Sequence, residues 1–198
     1  MTKRKRMVIA GIGCLLLGIG IGMCDHAQLG TDPFTVLLVG LQKHIGFTVG
    51  TLNLAVNLLM IAFGYMVDRN MISIASFLAT LFTSIGIDLV GLVFPNPVGG
   101  MMTAVIFLLI GELLYVTGAS LSIHANAGYD PYNAFLIGLQ KCTGWSYKIV
   151  RWVVEIVFLF AGYLLGGVIG IGTAAALIAS APLIEQTVAI LKKVWPLY

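Results

Sequence analysis

The stretch LGTDPFTVLLVGLQKHIG at residues 29–46 returns as AGYDPYNAFLIGLQKCTG at residues 127–144. Aligned without a gap, Gly30, Asp32, Pro33, Leu38, Gly40, Leu41, Gln42, Lys43 and Gly46 coincide with Gly128, Asp130, Pro131, Leu136, Gly138, Leu139, Gln140, Lys141 and Gly144. Nine identities in the seventeen pairs from Gly30 onward, at a constant offset of 98, are far beyond chance. The chain therefore reads as two copies of one unit, the first over about 8–98 and the second over about 106–196. The copied element is polar at both ends.

What surrounds it is apolar. Hydrophobic residues make up 59% of the chain and charged residues 10%, and the mean hydropathy is +1.01. A water-soluble domain of this size could not keep that much apolar surface out of water. The composition thus predicts an all-α, multispanning bundle forming a single membrane domain over 1–198. A bilayer span needs about 20 mostly apolar residues, and six segments supply them, at about 7–24, 49–66, 72–94, 101–122, 149–167 and 169–190.

The repeated element is too short to be a seventh and eighth span of the same kind. A helix over 33–44 would rise about 18 Å, against a hydrocarbon core of about 30 Å. Two organisations follow. Either each half has three spans plus a half-membrane helix, which inverts the second half relative to the first, or each half has four spans and the halves are parallel. Charge does not separate them. With Lys3, Arg4, Lys5 and Arg6 in the cytoplasm, each reading puts ten of the eleven Lys and Arg inside, the exception being Arg69 in the four-span reading and Lys43 in the three-span reading. The length argument favours the inverted three-plus-three bundle. Both readings place the two termini in the cytoplasm and the protein in the plasma (inner) membrane.

The basic start followed by an apolar run ending in Gly22, Met23 and Cys24 could be taken for an export signal. Met23 is large where a cleavage site wants a small residue. The first segment also has a full counterpart, since Gly13, Gly20, His26 and Ala27 match Gly111, Gly118, His124 and Ala125. It is expected to stay as a span. Cys14, Cys24 and Cys142 have no metal or redox spacing, and no nucleophile triad, phosphate loop or HExxH motif occurs. The reading is accordingly a protein that is not an enzyme and has no cofactor, no metal and no nucleic-acid partner. Its surroundings are the lipid bilayer and a small solute or ion, with a homo-oligomer left open.

The start of each repeated element carries chemistry. In Gly30-Thr31-Asp32-Pro33 the glycine allows a tight approach, the aspartate can accept from the first free backbone N–H groups, and proline suits the first helical position. A helix start at membrane depth is tolerated only where it is buried in protein or faces a water-filled cavity. Gly30, Asp32 and Pro33, with Gly128, Asp130 and Pro131, are therefore expected to meet near the centre of a path between the copies. Alternatively the aspartates only cap their own helices.

Polar residues inside the spans extend this set. Asn53 and Asn57 lie four apart on one helix face, and their counterparts at the same offset are Arg151 and Glu155. One copy has an amide pair where the other has an ion pair, and intramembrane charge usually faces the bundle interior. The ion pair could equally serve packing alone. Glu112, whose counterpart is Cys14, is an acid the first copy lacks, and joins the path residues. Asp88, Glu185, His26 and His124 are further candidates for titration.

The pattern Gly-x-Asp-Pro, a short apolar run and Gly-Leu resembles the YczE/YyaS/YitT group of small bacterial integral membrane proteins. The residues that carry it are Gly30, Asp32, Pro33, Gly40 and Leu41, with Gly128, Asp130, Pro131, Gly138 and Leu139. The resemblance implies a plasma-membrane protein and supplies no substrate. From the residues themselves, the expectation is a transporter or channel with its path between the two copies. The alternative is a non-transporting membrane partner that stabilises or regulates another protein.

Overall fold

The computed structural model describes residues 3–69, 72–125 and 130–195. Gly128, one of the expected path residues, lies outside them. Among the described residues all regular structure is helical. The helices are α1 (Lys3–Ala27), α2 (Pro33–Ile45), α3 (Val49–Val67), α4 (Ile74–Val93), α5 (Met101–Ala125), α6 (Pro131–Thr143), α7 (Tyr147–Leu164) and α8 (Ile171–Val194). Within α8, residues Ala176–Ser180 form a π turn. Pro182 has no N–H and crowds the carbonyl of Ile178, and a widened turn at this point accommodates it.

Five helices, α1 from Arg4, α3, α4, α5 and α8, have the length and composition to cross a membrane. The sixth expected span, 149–167, forms as α7, but its 18 residues include Lys148, Arg151 and Glu155. Its counterpart α3 carries no charge from Val49 to Val67. The bundle exposes large apolar side chains on all sides, among them Leu59, Leu92, Leu109, Phe160 and Ile178. Such an exterior matches hydrocarbon, not water.

The contacts fix how the helices run. α1 and α5 are antiparallel: Gly13 lies against Gly118, Gly20 against Gly111, and Arg6 Nε donates to the Ala125 carbonyl at 2.8 Å. α4 runs with α1, since Gly11, Gly18 and Gly22 meet Phe82, Thr83 and Val90 in order. α3 runs against α4, through Thr48 to Asp88 and Asn53 to Ser84. α8 runs with α5, through Glu112 to Ser180 and Ser120 to Ile184. α1 and α4 therefore point one way and α5 and α8 the other. The parallel four-plus-four arrangement is not adopted.

The seam between α1 and α5 explains the glycines. A Cβ on Gly20 would stand 2.5 Å from the Tyr115 nitrogen, and one on Gly118 2.4 Å from the Leu17 nitrogen. The two backbones touch, as small residues allow when lipid supplies no hydrophobic drive between helices.

The two short helices are built alike. Each has an aspartate N-cap, proline in the first turn, and a left-handed C-cap glycine, Gly46 or Gly144, whose N–H returns to Gln42 or Gln140. At 13 residues each rises roughly 20 Å, about two-thirds of the hydrocarbon core. α2 lies along α7 and α6 along α3, each running with its neighbour. They end at opposite ends of the bundle: Lys43 Nζ donates to the Gly166 carbonyl at 2.6 Å just beyond α7, and Lys141 pairs with Asp68 at 2.6 Å just beyond α3. Among the described lysines and arginines, Lys43 is the one at the end away from the start of α1, as the three-span reading expects.

Asp88 joins α4 to the start of α3. Its carboxylate accepts from the Gly50 N–H at 2.9 Å and from Thr48 Oγ1 at 2.8 Å. Asp88→Ala is expected to destabilise the fold by about 1–2 kcal/mol, the range for a lost helix cap. A thermal midpoint in nanodiscs measures it.

Candidate functional site

The two helix starts converge. Asp32 shares a small internal space of about 10 Å³ with Gly30, Glu112 and Tyr115, the last two at the middle of α5. Asp130 and Asp32 both line a larger cavity of about 400 Å³, together with Cys14 and Leu17 from the middle of α1. Half-helices running toward opposite ends of the bundle thus begin at one chamber halfway along it.

Each aspartate is held by its own first turn. Asp32 Oδ1 accepts from the N–H groups of Phe34 and Thr35, both at 3.1 Å, and Oδ2 accepts from Thr35 Oγ1. Asp130 Oδ2 accepts from the Asn133 N–H at 3.2 Å, and Oδ1 from the Asn133 side-chain amide. Thr35 and Asn133 are 98 residues apart and do the same job. Caps satisfy N–H groups that a helix start leaves free, so the capping role is realised at the cavity wall and does not exclude a second one.

The approach to Asp32 needs glycine. Gly30 has φ +94°, and a Cβ there would meet the Gly170 nitrogen and Thr173 Oγ1 at 2.5 Å. This packs the entry of α2 against the entry of α8, where the Gly172 N–H donates to the Leu29 carbonyl at 2.9 Å.

The span residues face the same chamber. Asn53, Asn57, Arg151 and Glu155 all line the larger cavity, with Pro33 and Pro131. Asn53 donates to Ser84 Oγ at 2.9 Å and receives Asn57 Nδ2 on Oδ1 at 2.9 Å. Arg151 Nε pairs with Glu155 Oε1 at 2.8 Å. Glu112 stays in the smaller space, where it accepts from Ser180 Oγ at 2.6 Å; the π turn ends at this serine. Glu185 also lines the large cavity. The other candidates lie elsewhere: Asp88 is the cap described above, His26 bonds the Gly22 carbonyl through Nδ1, and buried His124 bonds the Trp195 carbonyl through Nε2.

Several cavity residues carry no charge and were not singled out from the sequence. Phe34 and Tyr132 follow the two prolines, and their rings lie 6.0 Å apart, each within 6.4 Å of Phe158. An aromatic at the same place in both copies was a visible signal. Tyr115, one turn beyond Glu112, had none beyond its spacing. The walls of the chamber also differ: α3 packs along α4, whereas α7 and α8 form no such pair and face each other across the cavity through Arg151, Glu155 and Glu185.

Apolar crossing helices around a polar-lined central chamber define a multispanning membrane protein. The chain belongs to the family of unknown function DUF6198, whose model matches residues 4–188. It is similar to the uncharacterized protein YyaS of Bacillus subtilis, 29% identical over 165 residues that cover 82% of each chain. It is 31% identical over 180 residues to an uncharacterized protein of Haemophilus influenzae, covering 87% of this chain and 78% of that one. The uncharacterized membrane protein YczE of Bacillus subtilis is 26% identical over 162 residues, 81% of this chain and 75% of its own. The resemblance to YczE and YyaS read from the repeated motif thus holds across most of the chain. No solved structure matches it.

Proposed function

We propose that this protein is a transporter or channel for a small solute or ion, with its path through the chamber between the two halves. The carrying observation is the convergence of two oppositely directed, aspartate-capped half-helices on one cavity of about 400 Å³. Broken helices with polar starts near mid-membrane are a recurring way to build a solute site, and rocking of one half against the other then gives access from either side. The charge distribution supports a plasma (inner) membrane protein with both termini in the cytoplasm. The path requires no covalent chemistry, so the reading is of a conduit and not an enzyme.

Asparagine caps a helix about as well as aspartate, so the Asp32→Asn/Asp130→Asn double variant separates folding from passage. Uptake into proteoliposomes of whichever solute the native chain carries is expected to fall at least about tenfold, the weight of a lost charged contact, with the thermal midpoint nearly unchanged. Undiminished uptake by the folded double variant would remove the assignment of these residues to the path.

A second reading, a non-transporting partner of another membrane protein, draws on α8. Its final stretch, Ala181–Val194, buries only Val188, and Ile178, Ile190 and Val194 are exposed. Flux by the purified chain alone in liposomes favours the first reading. A stoichiometric partner in membranes, with no solute shifting the thermal midpoint, favours the second.

A further inference from the structure

Resting on the path reading, we infer that the solute is an organic cation, an ammonium group on an apolar or aromatic body. The chamber is acidic: Asp32, Asp130, Glu155 and Glu185 line it against a single basic side chain, Arg151. That base is already engaged by Glu155 at 2.8 Å. Glu185 is exposed, but Asp32 and Asp130 are only partly so and have no basic partner in the chamber. Carboxylates drawn out of water without a counter-charge are costly, and a cationic occupant supplies one.

An anion drawn by the helix ends is the obvious competitor, since helix N-termini favour negative charge. Here those ends are taken. The first N–H groups of α2 point at Asp32 and those of α6 at Asp130, so an anion would meet carboxylates where it needs donors.

Asn57 adds an independent pointer. It is 7% exposed, and its side-chain nitrogen gives its two hydrogens to the backbone carbonyl and the Oδ1 of Asn53, both at 2.9 Å. Among the described residues no hydrogen bond to its carbonyl oxygen is found. That acceptor is left to the cavity Asn57 lines, and it suits an N–H donor. The rings of Phe34 and Tyr132, which line the same cavity, offer apolar cover and a π face to a cation. A bare metal ion fits less well: among the described residues no three His, Cys, Asp or Glu side chains are placed to share one.

Three probes of one shape and different charge test this: 2-phenylethylammonium, 2-phenylethanol and phenylacetate, titrated calorimetrically into the full chain in nanodiscs at neutral pH. The cation is expected to bind at least about tenfold more tightly than either of the others, as one charge-assisted contact implies. Asn57→Leu and Glu185→Gln are each expected to weaken it by about tenfold or more. Should one variant fail to fold, the other still reads the site. Tighter binding of phenylacetate or 2-phenylethanol, equal binding of all three, or no binding of the ammonium overturns the inference. If proteoliposome uptake of an anionic or neutral solute is lost in the Asp32→Asn/Asp130→Asn variant, the path stands and the cation assignment alone fails.

Discussion

Gly118→Leu is expected to prevent recovery of folded protein. At this position a Cβ would stand 2.4 Å from the Leu17 nitrogen and 2.5 Å from the Gly13 carbonyl oxygen, and backbone cannot rotate aside as a side chain can. The helices must separate, and the loss then spreads along the α1–α5 seam, whose other contacts at Gly13, Gly20 and Gly111 need the same close approach. Overpacking a core typically costs 1–3 kcal/mol; with the obstruction on the backbone and no hydrophobic drive to re-close the gap, more than about 3 kcal/mol is expected. Gly91→Ala is the control, because only His26 Cε1 lies near, at 4.0 Å. Size-exclusion profiles of detergent extracts should show a monodisperse peak for Gly91→Ala and none for Gly118→Leu. A monodisperse Gly118→Leu protein with an unchanged thermal midpoint would mean that the seam is not as tight as described.

Arg151→Ala should show the second-largest loss. Glu155 is 14% exposed at its side chain and, among the described residues, its ion-pair partner is Arg151, so removing the base strands a carboxylate inside the bundle. Breaking a buried pair costs 3–5 kcal/mol; Arg151 is itself 44% exposed, which reduces the figure to about 2 kcal/mol. The double variant Arg151→Asn/Glu155→Asn should recover most of that, because it installs the amide pair that positions 53 and 57 already use successfully. It should keep the preference for 2-phenylethylammonium, because Asp32, Asp130 and Glu185 still line the chamber. Thermal midpoints of the single and double variants decide the matter: a double variant no more stable than Arg151→Ala would show that the pair does more than neutralise itself.

The repeated element was the most legible part of the chain. Gly-x-Asp-Pro specifies a cap and a first turn locally, and Gly46 and Gly144 specify the stop, so the expected 33–44 helix is found at Pro33–Ile45. Its shortness pointed to the inverted arrangement, and the glycine contacts between α1 and α5 show those two helices to be antiparallel. The offset of 98 also put Asn53, Asn57, Arg151 and Glu155 on equivalent faces, and all four reach the chamber. Less legible were features set by the packing of distant segments. Asp88 reads as a buried acid, yet it caps α3 across a helix hairpin 38 residues away. Nothing near Ser180 announced a π turn beyond Pro182, and nothing announced Glu112 as its partner. The separation of α7 from α8 did leave a trace, since Arg151, Glu155 and Glu185 stand where α3 and α4 carry Asn53, Asn57 and Ile87.

The account depends most on two halves that run in opposite directions, and side-specific labelling measures this directly. In a background lacking Cys14, Cys24 and Cys142, Lys43→Cys and Arg69→Cys are exposed in turn to a membrane-impermeant maleimide on intact cells. The account predicts that position 43 is labelled from outside and position 69 only after the membrane is opened. Labelling of position 69 from outside, with position 43 protected until opening, would contradict it.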